Sequence, residues 1–247
     1  MPLRPSIRVR SDRGKAWAAS AFLATSGLPT VAPLRLDADT RRDFAQLAAT
    51  LRPESADVPI LDVPGPVADF LRYLSTDHHM LFHGTKRAGL TRLATERESG
   101  DSREFGRQEA VFASSDPLWA MFFALVNRPY AKSFRNGSLA SIGNPAKRRY
   151  YLSADVPDAE PLLTPGWMYV VSDEGFRSEP SPRGLIETGQ WVSTDPVRPL
   201  AAVAVSPADY PLAAAVRRHQ PDERTLTTLW QSRRQWSASA GRTRRTR

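Results

Sequence analysis

Apolar positions recur at helical spacing in the first third of the chain. Residues 1–40 show little periodicity, but the segment 40–51 places its apolar side chains on one helical face, and Pro53 ends it. A second short helix is predicted over 66–74, with proline in its first turn. The N-terminal part is therefore expected to be irregular at first and then helical.

The middle of the chain contains short apolar runs that break into small polar residues. One run, 80–83, ends in an imidazole and is followed at once by Gly84, and a second run spans 111–114. Each is typical of a buried strand. Asp116 then caps a helix that is apolar almost all round, so that helix is expected to pack beneath a sheet.

Further strands are predicted over the last hundred residues. The predicted segments are 148–156, 167–171, 190–194 and 201–205. The polar stretch 129–147 is expected to be a loop with a turn at Asn136-Gly137, and 207–218 is expected to be a terminal helix. Helices followed by a strand, a helix and several strands indicate an α+β fold. Neither GxGxxG nor GxxxxGK(S/T) occurs, so a Rossmann or P-loop site is not expected.

Charge is concentrated at the two ends of the chain. The net charge is +8, of which residues 1–15 carry +4 and residues 217–247 carry +7, so the body between them is left with −3. A solvated basic tail is the simpler interpretation of the C-terminal segment. The alternative is that the basic termini contact nucleic acid.

The composition also bears on compartment and metals. No cysteine occurs, which excludes disulfides and thiolate ligands and is compatible with the cytoplasm. No apolar run approaches the roughly 20 residues that a membrane span needs. His78 and His79 have no cysteine and no carboxylate at ligand spacing, so no metal site is expected.

The strand ends His83-Gly84-Thr85 and Val111-Phe112-Ala113-Ser114 resemble two motifs of the ADP-ribosyltransferase superfamily, which includes the poly-ADP-ribose polymerases and the rifampin-modifying transferases. The resemblance implies an NAD-binding split β-sheet over residues 78–216. Residues 1–77 would form an irregular and helical extension, and residues 217–247 a basic tail.

The resemblance assigns roles to individual residues. His83 would bind the nicotinamide ribose, and Gly84 with Thr85 would hold the carboxamide. Ser114 would bind the ribose or the carboxamide. The family's stacking tyrosine is replaced by Val111, so stacking would come from another aromatic side chain. The candidates for stacking are Phe112 and Trp119.

The family's third motif is a late-strand glutamate, and Gln190 stands at that position here. An amide can orient the ribose, but it lacks the charge that stabilises an oxocarbenium-like cation. Glu187 is the alternative carboxylate. The expected function is NAD-dependent mono-ADP-ribosyl transfer, with NAD as substrate, to an acceptor that the sequence does not define: a protein, a nucleic acid or a small molecule.

Two alternatives remain open. One is an inactive transferase-like module that binds a nucleotide or a partner, which Val111 and Gln190 both favour. The other is an RNA 2′-phosphotransferase, which shares the early His-Gly-Thr and would need arginines such as Arg87 and Arg107.

Overall fold

The computed structural model describes residues 23, 25–52, 57–95, 109–141, 144–180, 186–221, 223, 227, 231, 233 and 234. Most of the basic segments at the two ends of the chain, with their predicted nucleic-acid contacts, lie outside the described residues. The α-helices whose bounds lie within the described residues are α1 (Ala38–Ala48), α2 (Val67–His78) and α3 (Pro117–Leu125). The strands are β1 (Leu81–Thr85), β2 (Val111–Ser114), β3 (Phe134–Ser141), β4 (Asn144–Ala154), β5 (Gly166–Val171), β6 (Arg177–Ser178), β7 (Ile186–Glu187), β8 (Gln190–Ser193), β9 (Ala201–Val205) and β10 (Val216–Arg218).

The strands form two sheets. The larger has six strands in the order β6-β8-β2-β1-β5-β9, and every neighbouring pair in it is antiparallel. The smaller has four strands in the order β10-β4-β3-β7, in which β10 runs parallel to β4. The predicted α+β class is confirmed. The finer assignment to a transferase-like split sheet stays a proposal.

Helix α3 packs directly on one face of the six-stranded sheet, as its sequence predicts. The side chain of Asp116 accepts a hydrogen bond from the Leu118 amide at 3.1 Å and caps the helix. Eight of its nine residues are buried. A Cβ on Gly84 would lie 2.0 Å from the Ala120 carbonyl oxygen, so the helix approaches β1 more closely than any side chain allows.

Helices α1 and α2 share the core that α3 and the sheet enclose. The rings of Phe44 and Phe70 meet edge to face with centroids 5.2 Å apart, and both belong to the same buried cluster as Phe82 of β1. The predicted extension, residues 1–77, therefore contributes its described helices to the core of the sheet.

Two segments differ from the sequence prediction. Residues 134–141, expected in a loop, form strand β3, in which Gly137 pairs with Tyr151 and lies beneath its ring. The segment 207–218, expected as a helix, forms two short 3₁₀ turns and strand β10. Strands β3 and β10 both pair with β4, and a local sequence pattern does not show that a distant segment provides this pairing.

His219 gives the fold a predicted dependence on acid. The residue is 3% exposed, and its ring nitrogens lie 3.0 Å from the hydroxyls of Ser133 and Ser153. Burial, with a smaller effect of Arg135, lowers the pKa of His219 below its ordinary value of 6.5. The unfolded chain therefore binds this proton first as the pH falls.

We expect the free energy of unfolding to fall as the pH drops below 6.5, with a slope of up to about 1.4 kcal/mol per pH unit from this residue. Urea unfolding between neutral pH and pH 5 measures it. His219→Gln should flatten the pH dependence, and the same slope in both proteins would contradict a neutral buried ring.

Candidate functional site

The structure brings the three predicted motif strands side by side. Strand β2 lies between β1 and β8, and Phe82, Ser114 and Gln190 are opposite one another in a single row across them. Residues that are directly opposite share one face of a sheet. Ser114 and Gln190 are therefore neighbours, and both lie on the face of Phe82.

His83 lies on the opposite face. Side chains alternate along a strand, so His83 faces away from Phe82. Ala113, Trp191 and Tyr169 share its face. The two buried clusters agree with this division, since Phe82 belongs to the cluster around α3 and Tyr169 to the other. The expectation that His83, Ser114 and Gln190 surround one ligand is therefore not met.

The face that carries Ser114 and Gln190 is filled by protein. Ser114 is 4% exposed, and its hydroxyl accepts a hydrogen bond from the Asp116 amide at 2.9 Å. Gln190 is 9% exposed. Helix α3 and a polar network cover this side of the sheet, so neither side chain lines an open cleft.

The polar network centres on the Asp116 carboxylate. Ser138 donates to it at 2.6 Å, Tyr150 donates at 3.3 Å, and Arg148 lies 3.8 Å away. Burial raises the pKa of Tyr150 well above its ordinary value, and the charge of Asp116 adds to the effect. Because Ser138, Arg148 and Tyr150 come from the smaller sheet, the network joins that sheet to α3.

Glu187 belongs to the same network. Its carboxylate accepts a hydrogen bond from Arg148 Nη2 at 2.8 Å, and its strand, β7, pairs with β3 of the smaller sheet. The charge of Glu187 is directed to a buried guanidinium. The structure therefore does not bring the predicted alternative carboxylate to His83.

The two predicted stacking residues also lie away from His83. Trp119 is buried in α3, and its indole N–H donates to Asn136 Oδ1 at 2.8 Å. Phe112 alternates with Ala113 along β2, so its ring lies on the face opposite His83. Trp119 is thus a core residue, as the all-round apolar pattern of its helix suggests.

His83 is held at the point where two strands part. Five register pairs join β1 to β5, but within the described residues only the pair Phe82–Ser114 joins β1 to β2. Beyond that pair, His83 Nδ1 lies 2.8 Å from the Phe112 carbonyl oxygen. A carbonyl can only accept, so Nδ1 carries the proton and, in the neutral ring, Nε2 is the acceptor.

We use the name His83 face for the part of this sheet surface formed by His83, Thr85, Trp167 and Trp191. All four side chains are half-buried. Trp191 is two strands from His83, about 10 Å between backbones, and Ala113 between them carries only a methyl group. Thr85 is the other predicted site residue on this face.

The two tryptophans were missed from the sequence. Trp191 follows Gln190, the residue chosen for its position in the motif, and alternation places these neighbours on opposite faces. The signal that could have found Trp191 is the register itself: a residue that is opposite Ala113 must share a face with His83.

An open cavity of about 670 Å³ adjoins the end of β1. Its lining residues are Thr85, Lys86, Arg87, Ala94, Thr95, Arg128 and Pro129. Arg87, which the 2′-phosphotransferase alternative would need, is among them, and Arg107 lies outside the described residues.

Lys86 has a structural role beside this cavity. Its ammonium donates to the carbonyls of Leu125 at 2.9 Å and Thr164 at 2.8 Å, so it caps the C-terminal end of α3. Burial lowers the pKa of Lys86 to about 8, and the nearby charge of Arg128 acts in the same direction.

Comparisons with protein-family models, with curated proteins and with solved structures found no match. Within the described residues, no cluster of three or more histidine and acidic side chains could hold a metal ion. The described helices include none that is long and apolar enough to cross a bilayer.

Proposed function

We propose that the His83 face binds the nicotinamide ribose of NAD and that the protein is a mono-ADP-ribosyltransferase. The observation that carries this proposal is the orientation of His83. Its Nδ1–H bond to the Phe112 carbonyl fixes the ring and makes Nε2 the acceptor, at the place where β1 and β2 part. An acceptor held in this way suits a ribose hydroxyl.

The rest of the His83 face suits the same ligand. Trp191 and Trp167 offer flat, half-buried ring surfaces against which a nicotinamide can stack. The edge of β1 beyond Phe82 has no register partner on β2 among the described residues, so its backbone can meet a carboxamide. Gly84 can meet a ligand only along this backbone edge, because helix α3 covers the face of the sheet toward which a side chain at position 84 would point.

The chemistry that NAD supplies is the cleavage of the bond between nicotinamide and ribose C1′. The acceptor nucleophile forms the new bond to C1′ and loses a proton, and nicotinamide leaves with the bonding electrons. The protein's part is to bind and orient the ribose through His83 and to hold the nicotinamide away from water. Acceptor identity is not defined by these residues.

Replacing His83 with alanine is expected to weaken NAD binding by at least about tenfold, since a hydrogen bond to an oriented acceptor is lost and the ring no longer fills the gap between the strands. Isothermal titration with NAD measures the affinity. His79→Asn is the matched control, because His79 is exposed and has a left-handed backbone that asparagine tolerates. Equal affinity in the His83 and His79 variants would contradict the proposal.

A second candidate is NAD binding without turnover, and a specific observation favours it. No carboxylate occurs among the described strand residues that share the face of His83, and the charge of Glu187 is directed to Arg148. Release of labelled nicotinamide separates the two candidates. Tight NAD binding without release of nicotinamide supports a module that only binds NAD. Nicotinamide release that depends on His83 supports the transferase.

The family resemblance would lead one to expect faster NAD hydrolysis from Gln190→Glu. The structure predicts otherwise, because Gln190 faces the core that packs on α3, away from His83. We expect no gain in nicotinamide release and a loss of stability of about 1–3 kcal/mol from burying a charge. A rise in release with unchanged stability would place residue 190 in the site after all.

A further inference from the structure

A basic and aromatic segment follows helix α3. We call residues 128–135 the RPYAKSFR surface, after their sequence. It contains three cationic residues, Arg128, Lys132 and Arg135, and no acidic residue. Arg135 alternates with Phe134 along β3, so its side chain lies on the other face of the smaller sheet. Its two aromatic rings are both exposed: Tyr130 is 48% exposed and Phe134 37% exposed. Exposed rings beside cations are the combination that proteins use to bind unpaired bases and the phosphates that link them.

One cation and one exposed ring of this surface are held close together. The Arg128 guanidinium lies 5.5 Å from the centroid of the Phe134 ring and 5.9 Å from that of Phe123. Phe134 is anchored from below, since its centroid is 6.3 Å from that of the buried Phe122. The exposed ring therefore has a fixed position, with a positive charge beside it.

The RPYAKSFR surface is continuous with the cavity at the end of β1. Arg128 and Pro129 line that cavity together with Arg87 and Thr85, and none of the described lining residues is acidic. The positive charge stands out against the rest of the body, since residues 16–216 together carry −3. A ligand along this surface would meet cations from Lys132 to Arg87.

We propose that the RPYAKSFR surface, with Arg87, docks a single-stranded nucleic acid. Phosphates can pair with the cations of this surface, and unpaired bases can stack on its exposed rings. A duplex would satisfy the cations alone, because its bases are already stacked on one another. A partner that is merely anionic would leave the exposed rings of Tyr130 and Phe134 without a role.

Fluorescence anisotropy with labelled oligothymidylate tests the docking in the absence of NAD, so its result does not depend on the proposed function. The variants are Tyr130→Ser and the double variant Arg128→Gln/Lys132→Gln. The control is Arg42→Gln/Arg52→Gln, which removes the same charge from α1 and the segment after it. The full chain is used throughout, so the basic termini are identical in every comparison.

We expect Tyr130→Ser to weaken binding about tenfold with an unchanged salt dependence, as for the loss of one stacked base. The Arg128/Lys132 variant should lower the slope of log affinity against log salt by about 1.4, and the control should not. Thermal unfolding checks that the double variant is folded. If the double variant does not fold, the Tyr130→Ser variant, which changes only an exposed ring, still tests the proposal.

Three outcomes would overturn the proposal. One is the absence of binding by the wild-type protein. Another is equal affinity for the duplex of the same sequence, since stacking would then play no part. The third is an equal effect of the control pair, which would assign binding to overall charge.

Discussion

Gly84→Ala is expected to destabilise the protein by at least about 3 kcal/mol, the upper end of the usual cost of overpacking. The added Cβ would lie 2.0 Å from the Ala120 carbonyl oxygen and 2.9 Å from the Ala124 amide nitrogen. Both atoms belong to the backbone of α3, which cannot move aside as the end of a flexible side chain can. Denaturation in urea measures the loss.

Gly175→Ala is the matched control for Gly84. Gly175 has a φ of +76°, and no described atom lies within 4 Å of the position that a Cβ would take, so alanine there costs only backbone strain, about 1 kcal/mol. Similar losses in the two variants would show that α3 does not pack on β1 as closely as described. The comparison also bears on function: a collapsed Gly84 variant would lose NAD binding whether or not the glycine meets the ligand.

Asp116→Ala is expected to lower the free energy of unfolding by about 3–5 kcal/mol, because the buried guanidinium of Arg148 loses one of its carboxylate partners. The substitution also removes the cap of α3 and the acceptor for Ser138 and Tyr150. Asp116→Asn, which keeps the shape of the side chain and loses its charge, should destabilise the protein nearly as much. Urea unfolding is again the measurement.

The control for Asp116 is Asp39→Ala on α1, where the side chain is 83% exposed and pairs with Arg42. An exposed pair of this kind contributes about 0–1 kcal/mol. If both alanine variants lost about the same stability, Asp116 would not be the centre of a network that joins the two sheets.

Local sequence patterns predicted the elements that interact mainly with their own neighbours. Helix α3 is an example, since Asp116, Pro117 and an all-round apolar run define its start and its burial within a few residues. Strands β1 and β2 were also predicted, because each is a short apolar run that ends in small polar residues.

Strand β3 could not be predicted in this way. Its residues include Asn136, Gly137 and Ser138, which locally favour a turn, and they adopt a strand because β4 pairs with them and Tyr151 covers Gly137. The energy that selects the strand comes from pairing with a separate segment of the chain, which the local pattern does not contain.

The sequence predicted which strands form the candidate site, but it did not predict which of their side chains lie on the same face of the sheet. His83 and Thr85 follow from the sequence, but whether Gln190 or Trp191 meets them depends on which residue is opposite Ala113. A shift of one residue in register moves every side chain of a strand to the other face. Motif position alone does not contain that information.

The central claim is that NAD binds on the His83 face with the His83 imidazole as hydrogen-bond acceptor. Long-range ¹H–¹⁵N correlation spectra of the four histidine rings, assigned with His83→Gln and recorded during an NAD titration, test it most directly. We predict that Nδ1 of His83 carries a proton and that its Nε2 resonance moves with added NAD, while that of buried His219 stays in place. A His83 ring protonated at Nε2, or one whose resonances ignore NAD, would contradict the claim.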